Sequence, residues 1–238
     1  MKITIANLYP DLLNLYGDRG NIAVLCRRME QRGIEAVVRE YSIGETIDFD
    51  SADIIYLGGG SDKEQKTVCG ELKKFSSEFK AYVEKGGCVL AVCGGNELLG
   101  EYYKTDSETV SALGILDIRT EYSDKRFIDN VIVESAFTGS TIVGFENHNG
   151  RMYTGDYEPL GTVRVGSGNN GEDSKEGFVY KNVTGTYLHG PLLPKNPALA
   201  DRIIKSALKQ RYNEDITLAD IDDTFEMQAH NYCLERFG

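Results

Sequence analysis

The sequence predicts an α/β fold with a mainly parallel central sheet, helices on both faces of that sheet, and a β-rich second half. In the first half, short apolar runs alternate with longer segments of helical periodicity, which is the order of a βαβαβ unit. Two of the apolar runs end in glycine-rich turns. With 238 residues, of which 41% are hydrophobic and 26% charged, the chain is expected to form a single domain over residues 1–238.

The elements of the first half follow from the spacing of apolar residues and from the position of glycines. Four short apolar runs predict strands at Ile3–Leu8, Ala36–Tyr41, Asp53–Leu57 and Cys88–Val92. Helical spacing predicts two helices, Asn21–Gly33 and a long one over Glu64–Lys85, each followed or closed by glycine.

The second half is predicted to be mostly β-structure followed by two helices. Strand-like segments occur at Gly114–Glu121, Asn130–Glu134, Thr141–Glu146, Thr162–Val165, Glu176–Tyr180 and Thr184–Leu188. The closing helices span about Ala198–Tyr212 and Thr224–Arg236. The segment Gly166–Glu176 is polar and rich in Gly and Asn, which predicts a mobile loop.

Charge and cysteine content exclude several classes of function. The formal net charge of −11 argues against nucleic acid or an anionic membrane surface as a main partner. No apolar run approaches the length of a membrane span, and the first residues lack the pattern of a signal peptide. The five cysteines form no CxxC pair and no metal-ligand spacing, so we expect reduced thiols, no metal site and a cytoplasmic location.

Cys93 lies where a buried strand is expected to turn sharply into a helix. The run Val89-Leu90-Ala91-Val92 precedes it, and Gly94-Gly95 follow. This layout resembles the nucleophile elbow of hydrolases, and a helix N-terminus beside the thiol would favour the reactive thiolate. A small buried cysteine at a strand end is the alternative interpretation.

His189 is the best candidate for a base that activates the thiol. It ends the apolar run Gly185-Thr186-Tyr187-Leu188 and precedes Gly190-Pro191, so it lies at a strand exit. A hydrogen-bonded structural histidine is the alternative. His148 is expected in a loop, and His230 on the surface of the last helix.

Two glycine turns provide backbone donors for an oxyanion. The N–H of Gly94 directly follows the candidate nucleophile, and a second donor is expected from Gly59 or Gly60 in the turn after Asp53–Leu57. A plain tight turn is the alternative. This turn does not match a phosphate-binding P-loop, and no GxGxxG fingerprint occurs, so the chain shows no site for ATP.

These motifs together resemble a class I glutamine amidotransferase of the cobyric-acid-synthase-like branch. The segments that carry the resemblance are GGGS, AVCGG and GTYLHG. Longer ones resemble the glutaminase subunit of lipid II isoglutaminyl synthase, namely LNLYGDRGN, GGGSDKEQ, VCGGNELLG, LGILDI, IVGFENHNGR, GNNGEDSKEG and GTYLHGPLLPKNP. They extend from Leu13 to Pro197 and therefore cover most of the chain.

The resemblance implies a role for three side chains. Cys93 matches the nucleophile that attacks the side-chain amide of glutamine, and His189 matches the base that takes the thiol proton and returns it to ammonia. Arg126 falls where the family has a glutamine-binding arginine, and a guanidinium suits a carboxylate. Without the resemblance, Arg126 would be interpreted as a solvated loop residue.

One position departs from the family pattern. Many class I amidotransferases carry a glutamate two residues after the histidine, where this chain has Pro191. We therefore expect either an acid from a partner subunit or an internal acid, such as Glu146 or Glu158, to complete the site.

The function that this resemblance implies is glutamine hydrolysis within an amide-forming ligase. A Mur-ligase-like partner in a heterodimer is expected to hold ATP and Mg²⁺, so this chain would need no cofactor, and to amidate the D-glutamate of lipid II to D-isoglutamine. The alternatives are a glutaminase subunit for another acceptor, such as a corrinoid, and a non-catalytic binding subunit with the same fold.

Overall fold

The computed structural model describes residues 1–238 and contains two β-sheets and six α-helices. In chain order the elements are β1 (Lys2–Leu8), α1 (Arg19–Glu30), β2 (Glu35–Tyr41), β3 (Ile54–Leu57), α2 (Asp62–Leu72), α3 (Ser76–Glu84), β4 (Cys88–Val92), α4 (Gly94–Leu98), β5 (Tyr102–Lys104), β6 (Thr109–Ser111), β7 (Arg119–Ser135), β8 (Ser140–Tyr153), β9 (Gly161–Val165), β10 (Lys175–Glu176), β11 (Phe178–Tyr180), β12 (Val183–Thr186), α5 (Pro197–Tyr212) and α6 (Thr224–Phe237). None of the helices combines the length and the apolar character that crossing a bilayer requires.

The first sheet is the predicted, mainly parallel one. Its strand order is β11-β12-β4-β3-β1-β2, and only the edge strand β11 runs antiparallel to its neighbour. Every residue of β3 and of β4 is buried, because helices cover both faces. This explains why these strands appear in the sequence as unbroken apolar runs without alternation.

Two apolar clusters lie on opposite faces of this sheet. One packs α2 and α3 onto it, with Val68, Leu72 and Phe79 fully buried. The other packs α1 and α5 onto the opposite face, with Leu25 and Ile204 fully buried. Helices therefore cover both faces, and the predicted fold class is confirmed.

The second sheet has the order β10-β9-β7-β5-β6, with β8 also paired to β7. β7 and β8 form a long antiparallel hairpin of 17 and 14 residues. The segments Asn130–Glu134 and Thr141–Glu146, predicted as short strands, pair with each other at the end of this hairpin nearest its turn. The prediction was too short because β7 exposes polar side chains along much of its length.

Three predicted elements differ from the structure. The helix over Glu64–Lys85 is broken by a 3-10 turn between α2 and α3. Most of the predicted strand Gly114–Glu121 is a turn, because the N–H groups after Gly114 bond back to carbonyl groups at the end of α4. The predicted strand Glu176–Tyr180 is divided at Gly177, whose φ of +61° takes the chain out of the extended conformation.

The segment Gly166–Glu176 is anchored, whereas its composition predicts a mobile loop. The N–H groups of Ser167 and Gly168 donate to the buried carboxylate of Glu146 at 2.8 and 2.9 Å. Asn169 is fully buried and exchanges two hydrogen bonds with Gly177. Asn169, Asn170 and Glu176 are buried hydrogen-bond partners, whereas residues 172–174 are exposed, and composition does not distinguish the two kinds of polar residue.

Candidate active site

Three neighbouring parallel strands bring the predicted site together at their carboxyl ends. β4 lies between β3 and β12, and Val92 pairs with Thr186. The Cys93 N–H donates to the carbonyl of Thr186 at 2.8 Å. The glycine turn after β3, Cys93 after β4 and His189 after β12 therefore share one edge of the sheet, where chemistry gathers in such folds.

Cys93 has the strained backbone of a nucleophile elbow. Its φ of +51° and ψ of −121° are rare for a residue with a side chain. A Cβ on Gly95 would lie 2.6 Å from the carbonyl oxygen of Leu57, and one on Gly94 would lie 2.5 Å from Gln65 Oε1. The two glycines are needed because the turn packs directly against β3 and α2.

The thiol is partly exposed in a cavity of about 100 Å³ at this edge. The wall carries backbone donors, amides and both signs of charge, contributed by residues that include Cys93, Gly60, Gly94, Gln65, Glu97, Arg126, Asn147 and Asn149. The predicted nucleophile, two of the predicted oxyanion glycines and the predicted arginine thus surround one small space.

Arg126 is fixed in direction by two asparagines of β8. Its Nε donates to Asn147 Oδ1, and its Nη1 donates to Asn149 Oδ1 at 2.9 Å. No carboxylate of the chain pairs with it, so the guanidinium keeps its charge available to a ligand. Neither asparagine was predicted to belong to the site, although both lie in the segment IVGFENHNGR.

Glu97 is a further charged group on the wall of the cavity. It accepts a hydrogen bond from Gln65 Nε2 at 2.8 Å and another from the Tyr187 hydroxyl at 2.7 Å. Burial raises its pKa, and both hydrogen bonds oppose that rise. Glu97 was not predicted as a site residue, because a glutamate four residues after Cys93 looks in the sequence like any other helix residue.

The surroundings of Cys93 favour the thiol over the thiolate. Burial raises its pKa above the usual range, and the carboxyl groups of Glu97 and Asp18 raise it further. The Gly94 N–H and Arg126 lower the pKa by less. A helix start was expected to lower this pKa, but α4 has only five residues and its N-terminus does not outweigh desolvation.

His189 is buried between aromatic rings and makes no hydrogen bond through its imidazole. Its ring centroid lies 4.4 Å from that of Tyr16 and 5.9 Å from that of Phe145. Neither ring nitrogen has a partner, so no hydrogen bond to Cys93 is formed. Burial lowers the pKa of His189 to about 4, with His148 and Arg126 adding to the effect. The imidazole is therefore neutral at pH 7 and able to accept a proton.

No carboxylate of the chain touches His189. Pro191 packs on α1, where a Cβ on Gly20 would lie 2.6 Å from the Pro191 Cγ. Glu146 is fully buried but accepts from two N–H groups of the segment Gly166–Glu176. Glu158 is exposed and meets β11 through its backbone. The structure therefore places Cys93 and His189 at the same edge of the sheet, with no acid beside the histidine, and His189 does not line the cavity that holds the thiol.

The two candidate glycines of the turn differ in what their N–H groups contact. The Gly59 N–H donates to Asp18 Oδ2 at 2.8 Å and is therefore engaged. The Gly60 N–H has no partner within the chain, and Gly60 lines the cavity. Asp18 was not predicted, because an acid just before a helix is ordinarily explained as a cap. Its side chain caps nothing here.

The other two histidines have structural positions that differ from the predicted ones. His148 is not in a loop: it is buried on β8 and stacks on Tyr187, with ring centroids 3.6 Å apart. His230 is not on a helix surface: its side chain bonds Thr141 Oγ1 and the Lys195 carbonyl. Both corrections have one cause, since packing between elements distant in sequence buries these rings.

Comparison with known proteins shows the family of the chain. The model of the CobB/CobQ-like glutamine amidotransferase domain matches residues 4–197. Subunit GatD of lipid II isoglutaminyl synthase (glutamine-hydrolyzing) from Staphylococcus aureus strain N315 is 44% identical, over 99% of this chain and 96% of that protein. The subunit of the same name from Streptococcus pneumoniae is 38% identical, over 95% of this chain and 88% of that protein.

Solved structures show the same fold. A crystal structure of a glutamine amidotransferase has a TM-score of 0.57 and 17% identity, and covers 85% of this chain and 98% of that one. Another, from Thermotoga maritima, has a TM-score of 0.54 and 13% identity, and covers 97% of this chain and 93% of that one. The chain therefore belongs to the CobB/CobQ-like glutamine amidotransferase family and is a glutamine-hydrolysing enzyme.

Proposed function

We propose that the chain is the glutaminase subunit of a two-subunit, ATP-dependent ligase that amidates lipid II. The observation that carries this proposal is the strained Cys93 elbow on the same small cavity as an unpaired guanidinium, Arg126. The acceptor is taken from the name of the relative that is 44% identical over 99% of this chain.

In the proposed reaction, the α-carboxylate of glutamine pairs with Arg126, whose orientation Asn147 and Asn149 fix. His189 takes the proton of the Cys93 thiol, and the sulfur attacks the γ-carboxamide carbon. The C–N bond then breaks, and His189 returns the proton to the leaving nitrogen as ammonia leaves. Water hydrolyses the γ-glutamyl thioester, which releases glutamate and restores the thiol.

The N–H groups of Gly60 and Gly94 are the proposed donors to the oxygen that gains charge in each tetrahedral intermediate. Both glycines line the cavity that holds the thiol. Such donors act on the transition state more than on bound glutamine, so their loss lowers kcat more than it raises KM.

The proposed partner is a Mur-ligase-like subunit that holds ATP and Mg²⁺ and activates the α-carboxylate of D-glutamate in the lipid II stem peptide. Ammonia from Cys93 chemistry then forms D-isoglutamine in a cytoplasmic heterodimer, without nucleic acid and without membrane insertion. The unpartnered imidazole of His189 supports an acid contributed by that partner. The protonated resting thiol supports low glutaminase turnover by the chain alone.

Ammonia release from glutamine tests the proposal, with the chain alone and after addition of the co-purified ATP-using subunit. We expect a low rate alone, a marked increase with the partner, and background release for Cys93→Ala. Cys26→Ala, which removes another partly exposed thiol, is the matched control and should keep the wild-type rate. Equal rates with and without the partner would contradict the shared site, and unchanged release by Cys93→Ala would contradict the nucleophile.

A further inference from the structure

Gly59, in the glycine turn beside the nucleophile, is held from both sides by the segment Leu15–Asp18. The Leu15 N–H donates to the Gly59 carbonyl at 2.9 Å, and Asp18 Oδ2 accepts from the Gly59 N–H at 2.8 Å. Two opposed hydrogen bonds therefore fix the peptide groups on either side of the Gly59 Cα. The turn has little freedom to rotate while both bonds are present.

The turn also packs closely on Cys93 and on the chain before α1. A Cβ on Gly59 would lie 3.1 Å from the Cys93 Cβ and 3.4 Å from Asp18 Oδ2. A Cβ on Gly58 would lie 2.2 Å from the Leu13 carbonyl oxygen, and one on Gly60 would lie 2.9 Å from that of Leu12. The position of this turn relative to the thiol is thus set by the segment that contains Asp18.

Asp18 is itself held from below by β3 and α1. It is 1% exposed, the buried Tyr56 hydroxyl donates to its carbonyl at 2.9 Å, and the Asn21 N–H does the same. Its Oδ1 is buried with no partner, so the carboxyl makes a single hydrogen bond, the one to Gly59. Burial of a carboxyl costs desolvation free energy, and here a single hydrogen bond to a backbone N–H offsets it, which indicates a functional role for this contact.

We propose that Asp18 is the positioning residue of the oxyanion turn. It holds the Gly59 N–H, and the Leu15 N–H holds the Gly59 carbonyl, which belongs to the same peptide group as the Gly60 N–H. With both sides of Gly59 fixed, the Gly60 N–H stays free at the cavity together with that of Gly94. This inference rests on the proposed function and adds a residue to it. Asp18 does not line the cavity, so its proposed action passes through the turn.

The test compares Asp18→Ala, which removes the acceptor, with Asp18→Asn, which keeps an oxygen acceptor without a charge. In the complete two-subunit enzyme, Asp18→Ala should lower kcat by about 10- to 100-fold with little change in KM, as expected when an oxyanion donor is displaced. Asp18→Asn should restore at least about half of the wild-type kcat, since its Oδ1 can accept from Gly59. Asp18→Leu, similar in shape and without an acceptor, makes the same comparison if the alanine variant does not fold.

A second readout separates positioning of donors from general structural damage. The γ-aldehyde analogue of glutamine adds the Cys93 S–H across its carbonyl, forming a tetrahedral hemithioacetal whose oxygen needs the same donors. Asp18→Ala should weaken binding of this aldehyde by the same factor by which it lowers kcat. Glutamine binding, measured in the inactive Cys93→Ala protein, should be the same with and without Asp18→Ala. Equal losses for the aldehyde and for glutamine, or a kcat of Asp18→Ala equal to that of wild type, would overturn the role of Asp18.

Failure of this inference differs from failure of the proposed function. If Cys93→Ala still releases ammonia from glutamine, the proposed function is wrong whatever Asp18 does. If Cys93→Ala is inactive and Asp18→Ala keeps the wild-type kcat, only the role of Asp18 is wrong.

Discussion

A buried carboxyl beneath the histidine-bearing strand makes the stability of the protein depend on pH. Glu176 is fully buried, accepts from the Tyr187 N–H at 2.8 Å, and lies 3.0 and 3.1 Å from Thr186 Oγ1. Burial raises its pKa to about 8, while the bonds from Tyr187 and Thr186 oppose that rise. The folded chain therefore holds a proton on Glu176 that the unfolded chain releases at lower pH.

The sign and size of the effect follow from this difference in pKa. Because the folded pKa is the higher one, the stabilisation is complete below the unfolded value of about 4.5 and is lost as pH rises towards 8. At pH 7 the pH lies about 2.5 units above the unfolded pKa. At 1.36 kcal/mol per unit, ionisation of Glu176 in the unfolded chain lowers the free energy of unfolding at pH 7 by about 3 kcal/mol.

Glu176→Gln removes the ionisation and keeps an oxygen acceptor for the Tyr187 N–H. We expect its unfolding free energy to exceed that of wild type by about 3 kcal/mol at pH 7, with the difference shrinking towards pH 4.5. Urea unfolding followed by circular dichroism at several pH values measures it. Glu158→Gln, which removes an exposed carboxyl, should change stability by no more than about 0.5 kcal/mol at any pH. A Glu176→Gln difference that does not vary with pH would refute the reasoning.

Three further substitutions test other parts of the structure. Gly95→Ala should abolish glutaminase activity, since its Cβ would lie 2.6 Å from a carbonyl oxygen of β3, and activity near wild type would contradict the geometry of the elbow. Arg28→Ala should lower the unfolding free energy by about 3–5 kcal/mol and expose the chain before α6 to proteolysis. The reason is that the Arg28 side chain, which is only 4% exposed, bridges Asp201 and Asp223. Unchanged proteolysis would contradict this anchoring. Tyr16→Ala should raise the pKa of His189 towards its ordinary value by exposing the ring, as measured by NMR titration of the three histidines. Tyr16→Phe keeps the ring contact and should leave the pKa of His189 unchanged. An unshifted pKa in Tyr16→Ala would show that Tyr16 does not bury the His189 ring.

The fold and the central pair of the site could be predicted because their signals are local. Cys93 follows the unbroken apolar strand β4 and precedes two glycines, and His189 lies three residues beyond the end of β12. Parallel packing brings their carboxyl ends together whatever the remaining sequence does. The long hairpin of β7 and β8 was only partly predicted, because its exposed polar residues hide the alternation that marks a strand.

The rest of the site depends on contacts between residues far apart in sequence. Asp18 meets Gly59 across 41 positions, and the Asn147 side chain meets Arg126 across 21. The pKa of Cys93 also could not be read from its turn. A helix start predicts a lowered value, whereas burial and two nearby carboxyl groups raise it.

Trapping of the covalent intermediate tests whether Cys93 is the nucleophile that attacks glutamine. The complete enzyme is mixed with glutamine, quenched in acid within the first turnovers, digested and examined by mass spectrometry. We expect a γ-glutamyl thioester on the peptide that contains Cys93, and this adduct should require His189 and be absent from Cys93→Ala. Glutamine hydrolysis at the wild-type rate without an adduct on Cys93, or with Cys93→Ala, would contradict it.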